Sequence, residues 1–249
     1  MDITTISQKF TKLKWSGAAQ ILKQCSLPES LSSTQVLNLL NELIEGQMSY
    51  LDVNRQIRLK RVAKLRWPDV GVSDIDVRDQ KPNVVKNVEH SLKTNWVRNN
   101  GNVAIIGKTG VGKTTLACAI ANSLLEQGVG VLFIRYPQLI VDLCAAEKQD
   151  TLPQLMKKLM KFPVLLIDDW GIMPLNTMQR HLVFELIERR ELNSSLIITS
   201  QYGFEHWHQA FQDEVVGDSV LDRIKHLSIE IFLERDSLRK KHGLTGEKE

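Results

Sequence analysis

The sequence predicts an α/β fold in three layers: a parallel β-sheet covered by helices on both faces, preceded by a small all-helical N-terminal domain. Three observations carry that prediction. From residue 101 onward, short apolar runs at 103–106, 131–135, 164–168, 196–199 and 229–233 alternate with longer amphipathic stretches. Strands apolar on both faces suit a buried parallel sheet, and the stretches between the first four runs are long enough for crossover helices. A glycine-rich loop, Gly107 to Thr114, stands directly between the first run and a helix-forming run. Upstream, residues 3–67 contain only two glycines, Gly17 and Gly46, and one proline, Pro28, while their apolar residues recur at helical intervals.

Within the N-terminal part, Leu37, Leu40, Ile44 and Met48, or Ile57, Arg58, Val62 and Leu65, are each spaced to line a buried helical stripe. Ser32-Ser33-Thr34 offers an N-cap for that helix. Trp67-Pro68 should end it, because the residue before proline resists helical torsions. Acidic residues and glycine dominate the next stretch, which reads as a linker at about 68–81. The expected division is therefore a helical adaptor at 1–67 and a larger α/β domain at 68–249. Residues 82–99, with Pro82 in the first turn, read as one more helix.

The chain of 249 residues is long enough for a full hydrophobic core, and 43% hydrophobic with 24% charged residues excludes wholesale disorder. No apolar run approaches the roughly 18 residues of a membrane helix, and the opening segment is too polar for a secretory signal. A cytoplasmic protein without a membrane partner is expected. Cys25, Cys118 and Cys144 match no zinc or redox spacing and read as free thiols. The net charge of +3 hides an asymmetry, since residues 1–100 carry 15 Lys/Arg against 10 Asp/Glu and the remainder 17 against 19. A basic arm on a near-neutral body suits an anionic partner such as nucleic acid.

The chemistry lies in three places. Gly107-Lys108-Thr109-Gly110-Val111-Gly112-Lys113-Thr114, followed by Thr115, satisfies G-x-x-x-x-G-K-[ST] between a strand and a helix. Glycines let backbone N–H groups close around a β-phosphate, and the helix N-terminus adds positive charge. Lys113 reaches the outer phosphates and Thr114 ligates Mg²⁺, so ATP with Mg²⁺ is the expected ligand. Fifty-five residues beyond Lys113, the apolar run ending in Asp168-Asp169 has the form of a Walker B strand. Asp168 would hold Mg²⁺ through water, and Asp169 would orient or deprotonate the attacking water. At the end of the run 196–199 stand Thr199, Ser200 and Gln201, with Gln201 the first choice and Thr199 the second for a sensor of the γ-phosphate.

These motifs resemble the AAA+ ATPases of the IstB type, helpers of insertion-sequence transposition that are similar to DnaC-type helicase loaders. The resemblance runs through GKTGVGKTTLACAIA, VLLIDDWGIMPL, TSQYGFEHWH, VLDRIKH and ERDSLRKKHG, about residues 102–243. It implies an ATP-hydrolysing homo-oligomer. Arg223 matches the position of an arginine finger acting in trans on the neighbouring subunit, and Arg239 the position of a second sensor. The resemblance also implies an added helical hairpin at 137–162 that meets DNA, with Lys157, Lys158 and Lys161 beside an apolar set. Arg58 and Arg61, in the basic stretch 55–66, are a second pair of candidate DNA contacts.

His206 and His208 flank Trp207 and point to different helix faces, which suits packing and capping better than metal binding. The expected function is an ATP-dependent helper that oligomerises on double-stranded DNA, remodels it and recruits a transposase. Two alternatives share the motifs: a loader of a replicative helicase, and a nucleotide-gated DNA-binding adaptor with negligible turnover.

Overall fold

A computed structural model describes residues 3–25, 32–75 and 80–234. The chain divides into two compact units, Met1–Arg58 and Leu59–Glu249. The elements run α1 (Ile3–Lys12), α2 (Ser16–Gln24), α3 (Ser33–Ala63), a 3₁₀ turn (Val72–Asp74), α4 (Pro82–Ser91), α5 (Asn95–Arg98), β1 (Asn102–Gly107), α6 (Lys113–Glu126), β2 (Val131–Arg135), α7 (Tyr136–Lys148), α8 (Leu152–Met160), β3 (Val164–Asp168), α9 (Thr177–Arg190), β4 (Ser195–Ser200), α10 (Phe204–Phe211), α11 (Glu214–Lys225) and β5 (Ser228–Leu233).

In the first unit, α1, α2 and the first part of α3 pack around Ala18, Leu22 and Leu43, with Ile6, Phe10, Ile21 and Leu39 at the margin. The N-cap expected from Ser32 forms as a reciprocal box: Ser32 Oγ accepts from Gln35 N–H at 3.3 Å, and Gln35 Oε1 accepts from Ser32 N–H at 2.9 Å. Buried Gln47 on α3 accepts from Gly17 N–H at 3.0 Å through Oε1, satisfying an orphan donor in the first turn of α2.

The two expected buried stripes of α3 do not form. Leu37, Leu40, Ile44 and Met48 are all about half exposed or more, as is Ile57. The face that α3 turns to α2 is set by Leu39, Leu43, Gly46 and Gln47 instead. Nor does α3 run to Trp67: it stops at Ala63, and Lys64 takes a positive φ of 54°. The proline constraint acts only on its immediate predecessor, so nothing holds 64–67 helical once Lys64 has reversed the chain.

In the second unit, Val70, Val72 and Ile75 join the core below the sheet, and Asn122 Nδ2 donates to Trp67 O at 3.3 Å and Val70 O at 2.9 Å. The described part of the expected linker is thus packed and hydrogen-bonded. The single helix expected over 82–99 is instead two, α4 and α5. The break lets Trp96 turn inward and donate its Nε1–H to Ser91 O at 3.0 Å.

The five strands form one parallel sheet in the order β2-β3-β4-β1-β5, and the strands at 131–135 and 164–168 fall on the expected residues. Period-two alternation sorts their side chains between two cores. Val103, Ile105, Val164, Leu166 and Ile197 face α6, whereas Ala104, Ile106, Leu165, Ile167, Leu196 and Ile198 join the core with α7, α8, α9, α10 and α11. Both faces are covered, which accounts for the apolar runs.

At the N-terminal edge of the sheet, wholly buried Arg190 replaces a carboxylate partner with backbone carbonyls. Nη1 donates to Leu159 O at 3.1 Å, and Nη2 to Phe162 O at 3.2 Å and Ser195 O at 2.8 Å. This cation ties the carbonyl end of α8, where the helix dipole is negative, to the start of β4. Burial lowers its pKa to about 9, so it stays protonated at neutral pH. None of the described helices is long and apolar enough to cross a membrane.

Candidate functional site

The loop from Gly107 to Thr114 joins β1 to α6 at the C-terminal edge of the sheet. Gly110 and Gly112 have φ of 88° and 89°, values that side chains resist, and Gly112 is the N-cap of α6. Val111 is buried and anchors the loop, while Lys108 and Thr109 are exposed and Thr115 is half-buried in the first turn. Lys113 is 8% exposed, and its Nζ donates to Lys108 O at 3.0 Å, so its ammonium is held inside the loop's curve.

Parallel pairing of β3 with β4 brings the carboxylates of β3 beside the end of β4. Asp168 is fully buried. Its Oδ1 accepts from the Thr114 hydroxyl at 2.8 Å and the Thr199 hydroxyl at 2.6 Å. Thr199 Oγ1 in turn accepts from Asp169 N–H at 3.0 Å. Asp168 Oδ2 has no hydrogen-bond partner among the described residues. A buried carboxylate oxygen with no donor, next to a hydroxyl at a helix N-terminus, is the donor set a hard divalent cation requires. Mg²⁺ fits here, because it characteristically takes one or two protein oxygens and completes its shell from phosphates and water.

Asp169 follows at φ 63°, and its Oδ2 is 3.0 Å from Arg135 Nη2 at the end of β2. Gln201 lies across the loop, its Oε1 accepting from the Thr109 hydroxyl at 2.9 Å. The structure thus brings Lys113, Thr114, Asp168, Asp169, Thr199 and Gln201 to one edge of the sheet. Arg135 was missed by sequence reasoning. Its signal was present as a lone cation ending an apolar strand, but only the β2–β3 register, which sets Arg135 opposite Asp168, brings it within reach of the adjoining Asp169 carboxylate.

Arg223 is not among them. It stands near the end of α11, where the carbonyl of the next residue, Ile224, accepts from Asn102 Nδ2 at 2.9 Å. Asn102 opens β1 and pairs with Ser228, whereas Gly107 pairs with Leu233. Five strand steps of about 3.3 Å put Asn102 roughly 17 Å from the loop end. There Arg223 lies over the Phe184 ring at 5.1 Å, with Nε 2.9 Å from Glu191 Oε2, Nη2 3.8 Å from Glu188 Oε1, and Nη1 bonding Ser219 O at 2.9 Å.

Two helices occupy the 137–162 stretch. Met156 and Leu159 of α8 are buried, while Lys157, Lys158 and Lys161 are exposed. They lie just before β3, hence at the sheet edge opposite the phosphate loop. Arg58 and Arg61 are exposed on α3. Arg239 falls outside the described residues. His206 sits 3.0 Å from Glu205, and Trp207 is buried with its Nε1–H on Tyr202 O at 2.9 Å.

Solved structures of a helicase loader and a replication initiator share this fold. The DnaC helicase loader superposes with a TM-score of 0.58 at 20% identity, covering 68% of this chain and 99% of that one. The replication initiator DnaA bound to AMPPCP and single-stranded DNA gives 0.58 at 19%, covering 74% and 58%. At these identities the likeness concerns the fold. Sequence relatives are nearer. An insertion sequence ATP-binding protein of Sinorhizobium fredii, y4pL, is 31% identical over 240 residues, covering 96% of this chain and 93% of its own. The ATP-binding protein of insertion sequence IS1162 from Pseudomonas fluorescens is 33% identical over 200 residues, covering 79% and 85%. The profile of the IstB-like ATP binding proteins matches residues 8–246, and with the phosphate loop and paired aspartates in place the chain belongs to that family.

Proposed function

We propose that this protein is an ATP-hydrolysing helper of an insertion sequence, which assembles with its own copies on double-stranded DNA, remodels the duplex and recruits a transposase. The observation that carries the reading is the placement of Arg223 at the sheet edge opposite the phosphate loop of its own chain. One copy holds both halves of a hydrolytic site and cannot join them, so Arg223 serves the triphosphate of a neighbour. The names of the relatives, ATP-binding proteins of insertion sequences, support the transposition context.

In this reading the loop N–H groups and Lys113 bind and orient the phosphates. The Thr114 hydroxyl and Asp168 Oδ2 would hold Mg²⁺, which would supply charge neutralisation for the bound phosphates. Asp169, released from Arg135, orients the attacking water and accepts its proton. Gln201, anchored on Thr109, registers whether the terminal phosphate is present. A finger supplied in trans adds roughly 10³–10⁵ to the rate, so assembly and hydrolysis are coupled. Lys157, Lys158 and Lys161, with Arg58 and Arg61, contact backbone phosphates and give little sequence preference but steep salt dependence.

The test is complementation. Lys113→Ala and Arg223→Ala proteins are each inactive alone, and mixing them restores hydrolysis at about a quarter of the sites, because an intact loop then meets an intact finger. Normal hydrolysis by Arg223→Ala removes the trans site. Unchanged duplex affinity after Lys157→Glu with Lys158→Glu removes the assignment of α8 to DNA.

A further inference from the structure

We infer that Glu191 is a positioning residue for Arg223: it holds that side chain folded against its own chain, and the triphosphate of a neighbouring copy has to draw the guanidinium away from it. The inference rests on the proposed trans site and adds what restrains it. Arg223 stands in the last turn of α11, and its side chain runs back along the helix, so that Nη1 donates to Ser219 O at 2.9 Å and to the Ser219 hydroxyl. The guanidinium lies over the Phe184 ring of α9 at 5.1 Å, which holds the cation by its face and leaves its edge free to bond. That edge meets two carboxylates. Nε is 2.9 Å from Glu191 Oε2, and Nη2 is 3.8 Å from Glu188 Oε1. Each nitrogen of the group thus faces a partner in its own chain, and the side chain is only 23% exposed.

A guanidinium folded in this way cannot also serve a neighbour. Arginine grips phosphate by presenting two parallel N–H groups, and here those edges are turned to Ser219, Glu188 and Glu191. The contact is nevertheless suited to exchange. Nε is buried but makes no aligned hydrogen bond among the described residues, so its approach to Glu191 is held by charge. Glu191 lies one residue past α9, between buried Arg190, which backbone carbonyls pin inside, and Leu192, which is 79% exposed. The backbone there is fixed from within, and the Glu191 carboxylate stands at the rim, where water can take it once the guanidinium leaves. The carbonyl end of α9 adds negative potential at the same place. A partly exposed ion pair is screened, and holding the side chain folded lowers the fraction able to act in trans by about three- to tenfold. Hydrolysis therefore waits for a correspondingly higher concentration of copies.

The experiment uses the full-length protein with ATP and duplex DNA, and follows hydrolysis against protein concentration in equal mixtures of two chains. A Lys113→Ala chain supplies only Arg223, and an Arg223→Ala chain supplies only the phosphate loop. Glu191→Gln on the first chain keeps the side chain's shape and removes its charge, so the concentration for half-maximal hydrolysis falls about three- to tenfold while the maximal rate and the thermal melt stay as they were. Glu191→Asp, which keeps the charge on a shorter stem, shifts it less. Glu191→Gln on the second chain, which has no Arg223 to hold, shifts nothing. Unchanged concentration dependence with the substitution on the first chain overturns the inference while leaving the trans site standing. An equal shift from the second chain assigns Glu191 to contacts between copies and overturns it. A fall in maximal rate at an unchanged half-maximal concentration places Glu191 in the assembled site and overturns it as well. Failure of the two chains to complement without any change at Glu191 removes the trans site itself, and the restraint with it.

Discussion

Asp168→Asn separates the metal-binding role of Asp168 from its place in the fold. In the unliganded protein Oδ1 accepts two hydroxyl donors, from Thr114 and Thr199, and an amide oxygen can accept both. The substitution removes a fully buried charge whose Oδ2 has no donor among the described residues, and replaces that oxygen with an NH₂ group of similar size. Relief of the buried charge and the unpaired amide are opposing effects of about 1–3 kcal/mol each, so unliganded stability should stay within about 1 kcal/mol of wild type. Nucleotide with Mg²⁺ at one hundred times Kd stabilises the wild type by about 2.7 kcal/mol. At roughly 2–4 °C per kcal/mol for a unit of this size, that is about 5–11 °C in Tm. In Asp168→Asn, adding Mg²⁺ to ATP should contribute less than about 2 °C of this, read by scanning fluorimetry with ATP held constant and Mg²⁺ titrated. A full Mg²⁺-dependent shift in the variant would place the metal elsewhere. A loss of several kcal/mol in the unliganded protein would make Asp168 a structural charge.

Three further outcomes follow from the same geometry. Gln201→Ala removes the contact to Thr109 without touching Lys113 or Asp168, so kcat should fall by about 10²-fold with ATP affinity retained; loss of binding in equilibrium titration would contradict a sensing role. Arg135→Ala frees Asp169 from a half-exposed pair, so denaturant melts should move by less than about 1 kcal/mol and kcat should rise no more than about fivefold. A tenfold fall in steady-state turnover would instead place Arg135 in the reaction. Arg190→Met leaves the carbonyls of Leu159, Phe162 and Ser195 without their buried donor and should cost about 3 kcal/mol or more by urea denaturation; a neutral result would refute the capping of α8.

Local chemistry made much of this protein readable in advance. The strands at 131–135 and 164–168 and the phosphate loop were legible because apolar runs, glycine torsions and a lysine at fixed spacing act over a few residues. Within the stretch 137–162, whose two helices followed from the family resemblance, the division between the apolar side of Met156 and Leu159 and the three lysines was legible for the same reason, since it is a property of one or two helix turns.

 Tertiary structure decided what no single segment contains. Periodicity shows that α3 has an apolar stripe but not which of its faces finds a neighbour. The packing of α2 chose Leu39, Leu43 and Gln47 and left Leu37, Ile44 and Met48 exposed.

Amino-acid order alone therefore established the parallel α/β body, the triphosphate loop and the paired aspartates, because each is written in a contiguous run whose physics is local. Folding decided the rest. The order β2-β3-β4-β1-β5 inserts β4 between the loop strand and the aspartate strand, so Thr199 and Gln201 bridge them. The same register carries Arg135 to Asp169 and holds Arg223 at the far edge. Those relations join residues tens of positions apart, and only the hydrogen-bonded alignment of strands brings them within reach of one another.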